Sequence, residues 1–408
     1  MRIRLARDTT TRLPVWVNIG AGSGWRIDKR PLNTPCYCYR AGTRRRAGPW
    51  LAVIALVIAA PVFAKAAATA SKPAEITWVV PFQAGGGADE WARFVAPHLA
   101  AQFAEPVAIE VVNIAGGGST KAANLYAMYP HGSRASTLDG TRILSTSGST
   151  QFAFLLDDPR VRYDYAQWQV LLAYAMGGVV YIAPELGIAG AGDLERVLDK
   201  PLYYGSQGAT SLDLVALLGF DLLGLDVRPI FGMRGRAAGR LAFERGDVTI
   251  DSQTTAAYLS KVQPLVDRGL AVPLFTFGVL DERGNMIRDP NFPELPSILE
   301  VYEWIHGEKP GGVGWDSWLG FFTAGFGAQK LLLIPKAAPA AIKDSFRAAI
   351  AAMLADPAYL AAKERVLGRY PQVGGATAQR LYRMAIDIPA AQKQWVKDWT
   401  NDKYKLNF

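Results

Sequence analysis

The sequence has almost no cysteine, and its surplus of positive charge is confined to one end of the chain. Cys36 and Cys38 are the two cysteines among 408 residues, so the long remainder has no disulfide framework, zinc–cysteine site or thiol nucleophile. Residues 1–70 contain twelve basic and two acidic side chains, whereas the rest contains 32 basic and 34 acidic ones. The near-neutral body lacks the basic field typical of nucleic-acid binding, and we expect no nucleic-acid partner.

Histidine is equally scarce. His98, His131 and His306 are the three histidines, and they lie far apart in the sequence. No two of them share a motif such as H-E-x-x-H, which excludes the usual zinc-hydrolase patterns. The sequence shows no acid–base pair or nucleophile motif. We therefore expect a protein that is not an enzyme and that uses no metal or cofactor.

The first 70 residues have the layout of an export signal preceded by an extension. Three arginines at 44–46 precede an apolar run over 50–64 and then small residues, which predicts a cleavable signal peptide over 44–70. The alternative is a single membrane anchor, but the run is shorter than the roughly 20 residues of a spanning helix and Pro61 interrupts it. We expect residues 1–43 to be disordered or untranslated, and the mature protein to be periplasmic.

Beyond residue 70, β-rich segments alternate with segments of helical periodicity. The run 76–80 predicts a strand, and apolar residues recur at helical spacing from 90 to 103. A second strand, loop and helix follow from 107 to 128. Further strands are predicted over 141–145, 179–183, 202–205, 227–231, 248–251, 270–277 and 319–322. This alternation predicts an α/β protein with parallel sheets and helices on both faces.

Three of the predicted loops carry glycine or hydroxyl residues where a strand passes into a helix, at 82–89, 113–120 and 206–211. Glycine permits close approach to backbone N–H groups, and the free N–H groups and dipole of a helix start attract an anion. The loops lack G-x-x-x-x-G-K-[ST] and G-x-G-x-x-G, so we expect no nucleotide site and leave phosphate or carboxylate as the anion. The alternative is that the glycines only form tight turns.

Several of these segments resemble motifs of one known family. The run over 76–89, ITWVVPFQAGGGAD, resembles the V-V-P-F-P-A-G-G-[ST]-x-D segment of the substrate-binding receptors of tripartite tricarboxylate transporters, also called Bug receptors. Residues 113–120 are similar to the family's N-x-x-G-A-G-G loop, and 139–144 to its D-G-y-T-l-l segment. Colinear similarity continues through 203–208, 231–247 and 318–322. The resemblance extends over roughly residues 74–400.

This resemblance implies a two-lobed clamshell of the type II-like periplasmic binding protein class, with a mostly parallel sheet flanked by helices in each lobe. Residues 71–178 would form the first part of lobe 1 and 179–283 would form lobe 2. Residues 284–408 would complete lobe 1 and add the C-terminal helices. Such a receptor would be a monomer that captures a di- or tricarboxylate or an aromatic carboxylate and delivers it to an inner-membrane permease.

The resemblance also implies which residues bind the solute. They are Phe82, Gln83, Gly85, Gly86, Gly87, Asp89, Gly116, Gly117, Gly118, Ser119, Thr120, Ser206, Gln207, Gly208, Thr210, Ser211, Asp251 and Ser252. In the first loop, Gln83, Gly87 and Ala88 replace the proline and hydroxyl residues that are usual in the family. Backbone donors therefore remain while hydroxyl donors are lost, and the Gln83 amide is a possible substitute.

Two other functions are compatible with the sequence. The same receptor fold could serve as the ligand sensor of a two-component system instead of a transporter. The chain could also be an exported enzyme that acts on an anionic substrate, with Asp89, Asp251 or His131 as acid or base. A convergent acid–base pair in the cleft would favour the enzyme, and the sequence shows none.

Overall fold

The computed structural model describes residues 75–104, 107–128, 139–281 and 285–406. The segments predicted as an extension (1–43) and as a signal peptide (44–70) lie outside these residues, as does His131. All described residues belong to one unit of the chain. Within them, no helix combines the length and the apolar character needed to cross a membrane.

Strands and helices alternate along the chain, as the periodicity predicts. The strands in the described residues are β1 (Glu75–Val80), β2 (Ala108–Asn113), β3 (Arg142–Ser147), β4 (Trp168–Tyr174), β5 (Gly178–Ile182), β6 (Leu202–Ser206), β7 (Val227–Phe231), β8 (Ile250–Thr254), β9 (Val272–Thr276), β10 (Val279–Leu280), β11 (Met286–Ile287), β12 (Lys330–Pro335) and β13 (Gln372–Val373). The α-helices are α1 (Gly87–Ala100), α2 (Thr120–Met128), α3 (Gly148–Leu155), α4 (Asp213–Leu222), α5 (Arg236–Glu244), α6 (Thr255–Ala257), α7 (Gln263–Val266), α8 (Ile298–His306), α9 (Gly312–Phe322), α10 (Ala340–Ala355), α11 (Pro357–Leu367), α12 (Gly375–Ile386) and α13 (Ala390–Tyr404).

The strands form two main sheets, and each sheet mixes parallel and antiparallel pairs. The first has the order β13-β4-β12-β3-β1-β2, with β1 parallel to β2 and β3, and β12 antiparallel to β3 and β4. The second has the order β7-β6-β8-β5-β9, with β6 parallel to β7 and β8, and β5 antiparallel to β8 and β9. The predicted class, two α/β sheets flanked by helices, is confirmed.

Antiparallel pairing is more frequent than the sequence suggests, and the chain path explains why. A helical crossover between neighbouring strands makes them parallel, as α1 does between β1 and β2. Strand β5 instead follows β4 of the other sheet after a three-residue connection, over 175–177. Its direction is therefore not constrained by a crossover within its own sheet.

The helices pack on both sheets and define two lobes. We call the first sheet with α1–α3 and α10–α12 the first lobe, and the second sheet with α4–α9 and α13 the second lobe. Trp78 of β1 and Trp91 of α1 meet edge to face at 5.2 Å in the core of the first lobe. Trp399 of α13 donates to Asp221 of α4 at 2.7 Å in the second. The boundaries at 178/179 and 283/284 stay predictions, because helices of 284–408 pack on both lobes.

The segment 319–322, predicted as a strand, is the end of helix α9 instead. Trp315, Trp318 and Phe322 recur at spacings of three and four residues, and their rings stack in sequence at centroid distances of 4.9 and 5.0 Å. The Nε1 of Trp318 donates to the carbonyl of Val215 in α4 at 3.0 Å. The strand prediction was wrong because the run of aromatic residues was interpreted by its β propensity and not by this helical spacing.

Candidate functional site

A small cavity lies between the two lobes, where strands β1, β3, β6, β7 and β8 end. Its volume is about 40 Å³, which is space for about three water molecules, so in this conformation it accommodates only a small solute. The lining residues are Phe82, Gln83, Gly86, Gly87, Ala88, Ser147, Ser149, Gln207, Leu212, Gly235, Arg236, Ala237, Thr254, Gln329 and Lys330. The carboxyl ends of strands are where α/β proteins bind ligands.

Three helices begin at this cavity. Helices α1 and α3 begin there at Gly87 and Gly148 in the first lobe, and α5 begins there at Arg236 in the second. The first N–H groups of a helix have no partner within the helix, and the helix dipole is positive at this end. All three helix starts therefore favour an anion in the cavity.

The first glycine loop lies at the cavity, and solute binding by it stays a prediction. The lining residues that it contributes are Phe82, Gln83, Gly86 and Gly87. Asp89 does not line the cavity; its Oδ2 accepts a hydrogen bond from the N–H of Gly85 at 2.9 Å, and its Oδ1 pairs with Arg93 at 2.9 Å. Gly85 has a φ of +79°, which glycine adopts without strain. Asp89 thus holds the loop in shape from behind.

The second glycine loop lies one layer away from the cavity. None of the residues predicted there, Gly116, Gly117, Gly118, Ser119 and Thr120, is among the lining residues. The hydroxyl groups of Ser119 and Thr150 are 2.9 Å apart, and the hydroxyl of Thr120 donates to the carbonyl of Gly117 at 2.8 Å. The loop therefore supports the start of α3, and direct binding by it stays a prediction.

The loop that the sequence analysis did not select is the one before α3. Ser147 caps this helix in a reciprocal arrangement with Thr150, and Ser149 lines the cavity beside Ser147. The Oγ of Ser149 also accepts a hydrogen bond from the N–H of Leu212 in the opposite lobe at 2.9 Å. The run TSGST after a predicted strand was the signal that could have identified this loop.

In the third loop, a carboxylate of the protein occupies the place predicted for the solute. Oδ2 of Asp213 accepts hydrogen bonds from the N–H of Gln207 at 2.6 Å and from the hydroxyl of Ser206 at 3.0 Å. The N–H of Gly208 donates to Ser206, and the hydroxyl of Ser211 donates to the carbonyl of Gly208. Among the residues predicted in this loop, Gln207 alone lines the cavity, so its side chain is the group available to a solute.

Hydrogen bonds join the two lobes on either side of the cavity. The hydroxyl of Thr210 donates to Asp158 of the first lobe at 2.9 Å, and Arg160 pairs with the same carboxylate. The hydroxyl of Ser260 donates to Glu90 of α1 at 3.0 Å. Thr210, predicted as a binding residue, thus lies at a contact between the lobes and not in the cavity lining.

Asp251 and Ser252 surround a buried arginine that the sequence analysis did not select. Arg236 pairs with Asp251 and lies 3.3 Å from Asp213, and its Nη2 donates to the carbonyl of Ser252 at 2.9 Å. The hydroxyl of Tyr181 also donates to Asp251. Burial is the largest single effect and would lower the pKa of Arg236, but Asp213, Tyr204 and Tyr181 together outweigh it and the pKa is raised. The positive charge of Arg236 is therefore balanced within the protein.

Lys330 is the second basic residue in the cavity lining, and it too was not among the residues predicted from the sequence. It begins β12, where it pairs with Ser147 of β3 and with Tyr174 of β4. Its side chain is 3% exposed, and the neighbouring Gln329 is 1% exposed. Burial lowers the pKa of Lys330 from 10.5 to about 7, against a smaller opposing effect of Glu90. A buried amine at the positive ends of helices favours an anionic ligand.

The described residues hold no group of three His, Cys, Asp or Glu side chains that is arranged for a metal ion. The titratable residues in the cavity lining are Arg236 and Lys330. What the site offers is therefore helix N–H groups, amide side chains, the hydroxyls of two serines and Thr254, and the buried amine of Lys330, which has no ion-pair partner among the described residues. These groups can bind and orient a small anion.

Solved structures of other proteins are similar to this chain in fold. No protein-family model and no curated protein sequence matches the chain. An R. palustris protein with adipate is 20% identical to this chain at a TM-score of 0.60, and the match covers 79% of this chain and 96% of that protein. The periplasmic binding protein BugD is 18% identical at a TM-score of 0.60, and the match covers 80% of this chain and 97% of BugD. The malate-bound MatC of Rhodopseudomonas palustris has a TM-score of 0.56 at 18% identity, with 98% of its length and 79% of this chain covered.

The chain has the fold of a periplasmic binding protein. The sequence motifs resemble those of Bug receptors, and the structure is similar to that of BugD. In this fold the cavity lies between the two lobes. There, the first glycine loop and the start of helix α1, which carry the motif over 76–89, meet the second lobe.

Proposed function

We propose that this protein is a periplasmic receptor of the tripartite tricarboxylate transporter type, which captures a small carboxylated solute between its two lobes and delivers it to an inner-membrane permease. The observation that carries the proposal is the cavity itself. Three helix starts and Lys330 surround it, and the charge of Arg236 is already balanced by Asp213 and Asp251. A site of this kind has a net attraction for one negative group.

The structural neighbours support a carboxylate as that group. The R. palustris protein of the same fold has adipate in its structure, and MatC has bound malate. The signal layout over 44–70 supports export to the periplasm, which is where a receptor of this fold would meet its solute. We infer a monomer in solution, with a permease as its membrane partner.

The enzymatic alternative has less support from the site. Asp89 is bonded to the N–H of Gly85 and to Arg93, and Asp251 is bonded to Arg236 and Tyr181. Neither carboxylate is in the cavity lining. General acid–base catalysis needs such groups within hydrogen-bond reach of the reacting atoms. A binding function uses the groups that do line the cavity.

The proposal is tested by measuring which carboxylates bind. Purified protein is unfolded and refolded to remove any co-purified solute, and a panel of mono-, di-, tri- and aromatic carboxylates is screened by thermal shift and then by calorimetry. We expect at least one saturable ligand with one site per chain and a micromolar or lower Kd. If correctly refolded protein binds no member of a broad panel, the protein is not a carboxylate receptor.

A matched pair of variants connects such binding to the cavity. Lys330→Met removes the buried cation, whereas Lys336→Met removes a solvent-exposed lysine just beyond the other end of the same strand. We expect the first change to weaken binding and the second to leave it unchanged. Equal affinities in both variants would place the binding site elsewhere on the protein.

A further inference from the structure

Two adjacent side chains of the cavity have binding capacity that the protein itself does not use. Gln329 and Lys330 are both buried, and both line the cavity. They lie where the chain enters β12, in the middle of the first sheet and between β3 and β4. This position fixes their backbone firmly, so both residues border the cavity from a rigid base.

The charge of Lys330 has no ion-pair partner among the described carboxylates. Within the described part of the chain, the ion pairs at the cavity are those of Arg236 with Asp213 and Asp251. Glu90 is the acidic group with an electrostatic effect on Lys330, and its carboxylate is already bonded to Ser260 at 3.0 Å. A buried cation without a counter-ion is costly unless a ligand supplies the negative charge.

The amide of Gln329 is also without a partner. Both its Nε2 and its Oε1 are buried and form no hydrogen bond within the described part of the chain. A buried amide loses free energy when its donor and its acceptor are both unmatched. The ligand that satisfies this amide must accept a hydrogen bond from Nε2 and donate one to Oε1. A carboxylate accepts only, so a second carboxylate would leave Oε1 unmatched.

From these two observations we infer the class of the solute, on the basis of the receptor function proposed above. The solute is a small monocarboxylate that also carries a hydroxyl or a primary amide group. Its carboxylate binds Lys330 and the helix starts, and its hydroxyl or amide group exchanges hydrogen bonds with Gln329. With a volume of about 40 Å³, the cavity must enlarge less for a small molecule of this kind than for a tricarboxylate.

The inference is tested with four probes that differ in one group each. Lactate has the carboxylate and the hydroxyl, propionate lacks the hydroxyl, lactamide lacks the charge, and malate adds a second carboxylate. Calorimetry on the refolded full chain should give the tightest binding for lactate. We expect propionate to bind about tenfold more weakly, and lactamide and malate to bind weakly or not at all.

Substitutions of Lys330 and Gln329 test which residue recognises the carboxylate and which recognises the hydroxyl group. Lys330→Met should weaken lactate binding by about ten- to a hundredfold, because a hydrogen bond to a charged group is lost. Gln329→Leu should reduce the preference for lactate over propionate without weakening propionate binding. Lys336→Met is the control and should behave as the parent protein. Circular dichroism and the thermal midpoint of each variant show that it is folded.

The possible outcomes separate this inference from the receptor function. If malate or another di- or tricarboxylate binds more tightly than every hydroxy and carbamoyl monocarboxylate tested, the inference is overturned while the receptor function stands. Lactate binding that is unchanged in both Lys330→Met and Gln329→Leu also overturns it. If no carboxylate binds, both the inference and the proposed function are wrong. The stated order of affinities, with the loss in each variant, supports both.

Discussion

A Cβ atom on Gly87 would lie 2.5 Å from the Oγ1 of Thr254, which belongs to the opposite lobe. Gly87 is the first residue of α1 and Thr254 is the last residue of β8, so the backbone of one lobe meets a side chain of the other beside the cavity. A contact of 2.5 Å is not found in real structures, so a side chain at position 87 requires the Thr254 side chain to rotate or the two lobes to move apart. The absence of a side chain at position 87 therefore permits this close approach of the two lobes.

Replacing this glycine should weaken ligand binding by preventing closure. We expect Gly87→Ala to raise the Kd of the solute about five- to thirtyfold, because overpacking at a close contact costs about 1–2 kcal/mol. Calorimetry gives the Kd, and small-angle scattering in the presence of the solute should show a larger radius of gyration than that of the parent complex.

A second substitution tests whether the contact with Thr254 is the cause. The Thr254→Ala change removes Oγ1, and the next atom near the added methyl group would then be the Cβ of Ala257 at 3.7 Å, an ordinary contact. We expect Gly87→Ala/Thr254→Ala to bind more tightly than Gly87→Ala alone. Additive losses in the double variant would mean that Gly87 matters for another reason.

Removing the buried arginine should destabilise the protein far more than removing an exposed one. Arg236→Met leaves Asp213 and Asp251 buried near each other without their cation, and we expect a loss of about 3–5 kcal/mol in the free energy of unfolding. Arg245, which follows the last residue of α5, is 62% exposed and pairs with Asp247, and Arg245→Met should cost about 0.5 kcal/mol. Urea unfolding measures both. A loss below about 1 kcal/mol for Arg236→Met would contradict the pairing described.

The local signals in the sequence identified the first loop, and long-range packing explains what they missed. The segment 82–89 forms a turn and a helix start by itself, and the structure has both at the cavity. Ser206 and Gln207 form the expected loop, but Asp213 folds back and bonds with them. A sequence motif shows that N–H groups are available without showing which carboxylate accepts from them. Binding at the third loop was predicted on that incomplete basis.

Strand β12 shows a second limit of the sequence. Its residues LLLIP, after Lys330, give an apolar run without the alternation that marks a half-buried strand, because the strand is covered on both faces. Lys330 at its start has the same appearance as the exposed Lys336 that follows its end. Which of the two is buried depends on the pairing with β3 and β4, whose partners of Lys330 lie 183 and 156 residues earlier in the chain. Pairing over that distance leaves no local signal.

Lys330 should lower the free energy of unfolding of the protein without ligand, and the size of this loss should depend on pH. Burial lowers the pKa of Lys330 to about 7 in the folded protein, while the unfolded chain has the usual value of about 10.5. Below pH 7 both states are protonated and the penalty is complete. Between pH 7 and about 10.5 the unfolded state holds more protons, so stability rises with pH and the penalty fades.

Comparing the parent protein with Lys330→Met separates the effect of Lys330 on stability from the effects of all other titratable groups. We expect Lys330→Met to be more stable than the parent protein at pH 6, and this advantage to shrink at pH 9. Urea unfolding without ligand at the two pH values measures the difference. The charged groups around Lys330 are Glu90 of α1 and Arg236 of α5, and both remain in the variant. An advantage that is constant or grows with pH would show that Lys330 is charged across this range.

Binding of a carboxylate should draw a proton onto Lys330. At pH 8 a group with a pKa of about 7 is mostly neutral in the empty site, and a carboxylate beside it favours the charged form. We expect the uptake of most of one proton per ligand at pH 8 and an affinity that falls as the pH rises from 7 to 9. Calorimetry in phosphate and in Tris, whose ionisation enthalpies differ, gives the number of protons directly.

Two variants decide which group takes up that proton. Glu90 is the acidic side chain with an electrostatic effect on Lys330, and burial raises its pKa. If Lys330 is the acceptor, Glu90→Gln should leave the uptake at pH 8 close to that of the parent protein. Lys330→Arg, in contrast, should bind with almost no proton uptake, because a guanidinium is charged throughout this range. The same uptake in Lys330→Arg as in the parent would assign the proton to a different group and remove Lys330 from the binding reaction.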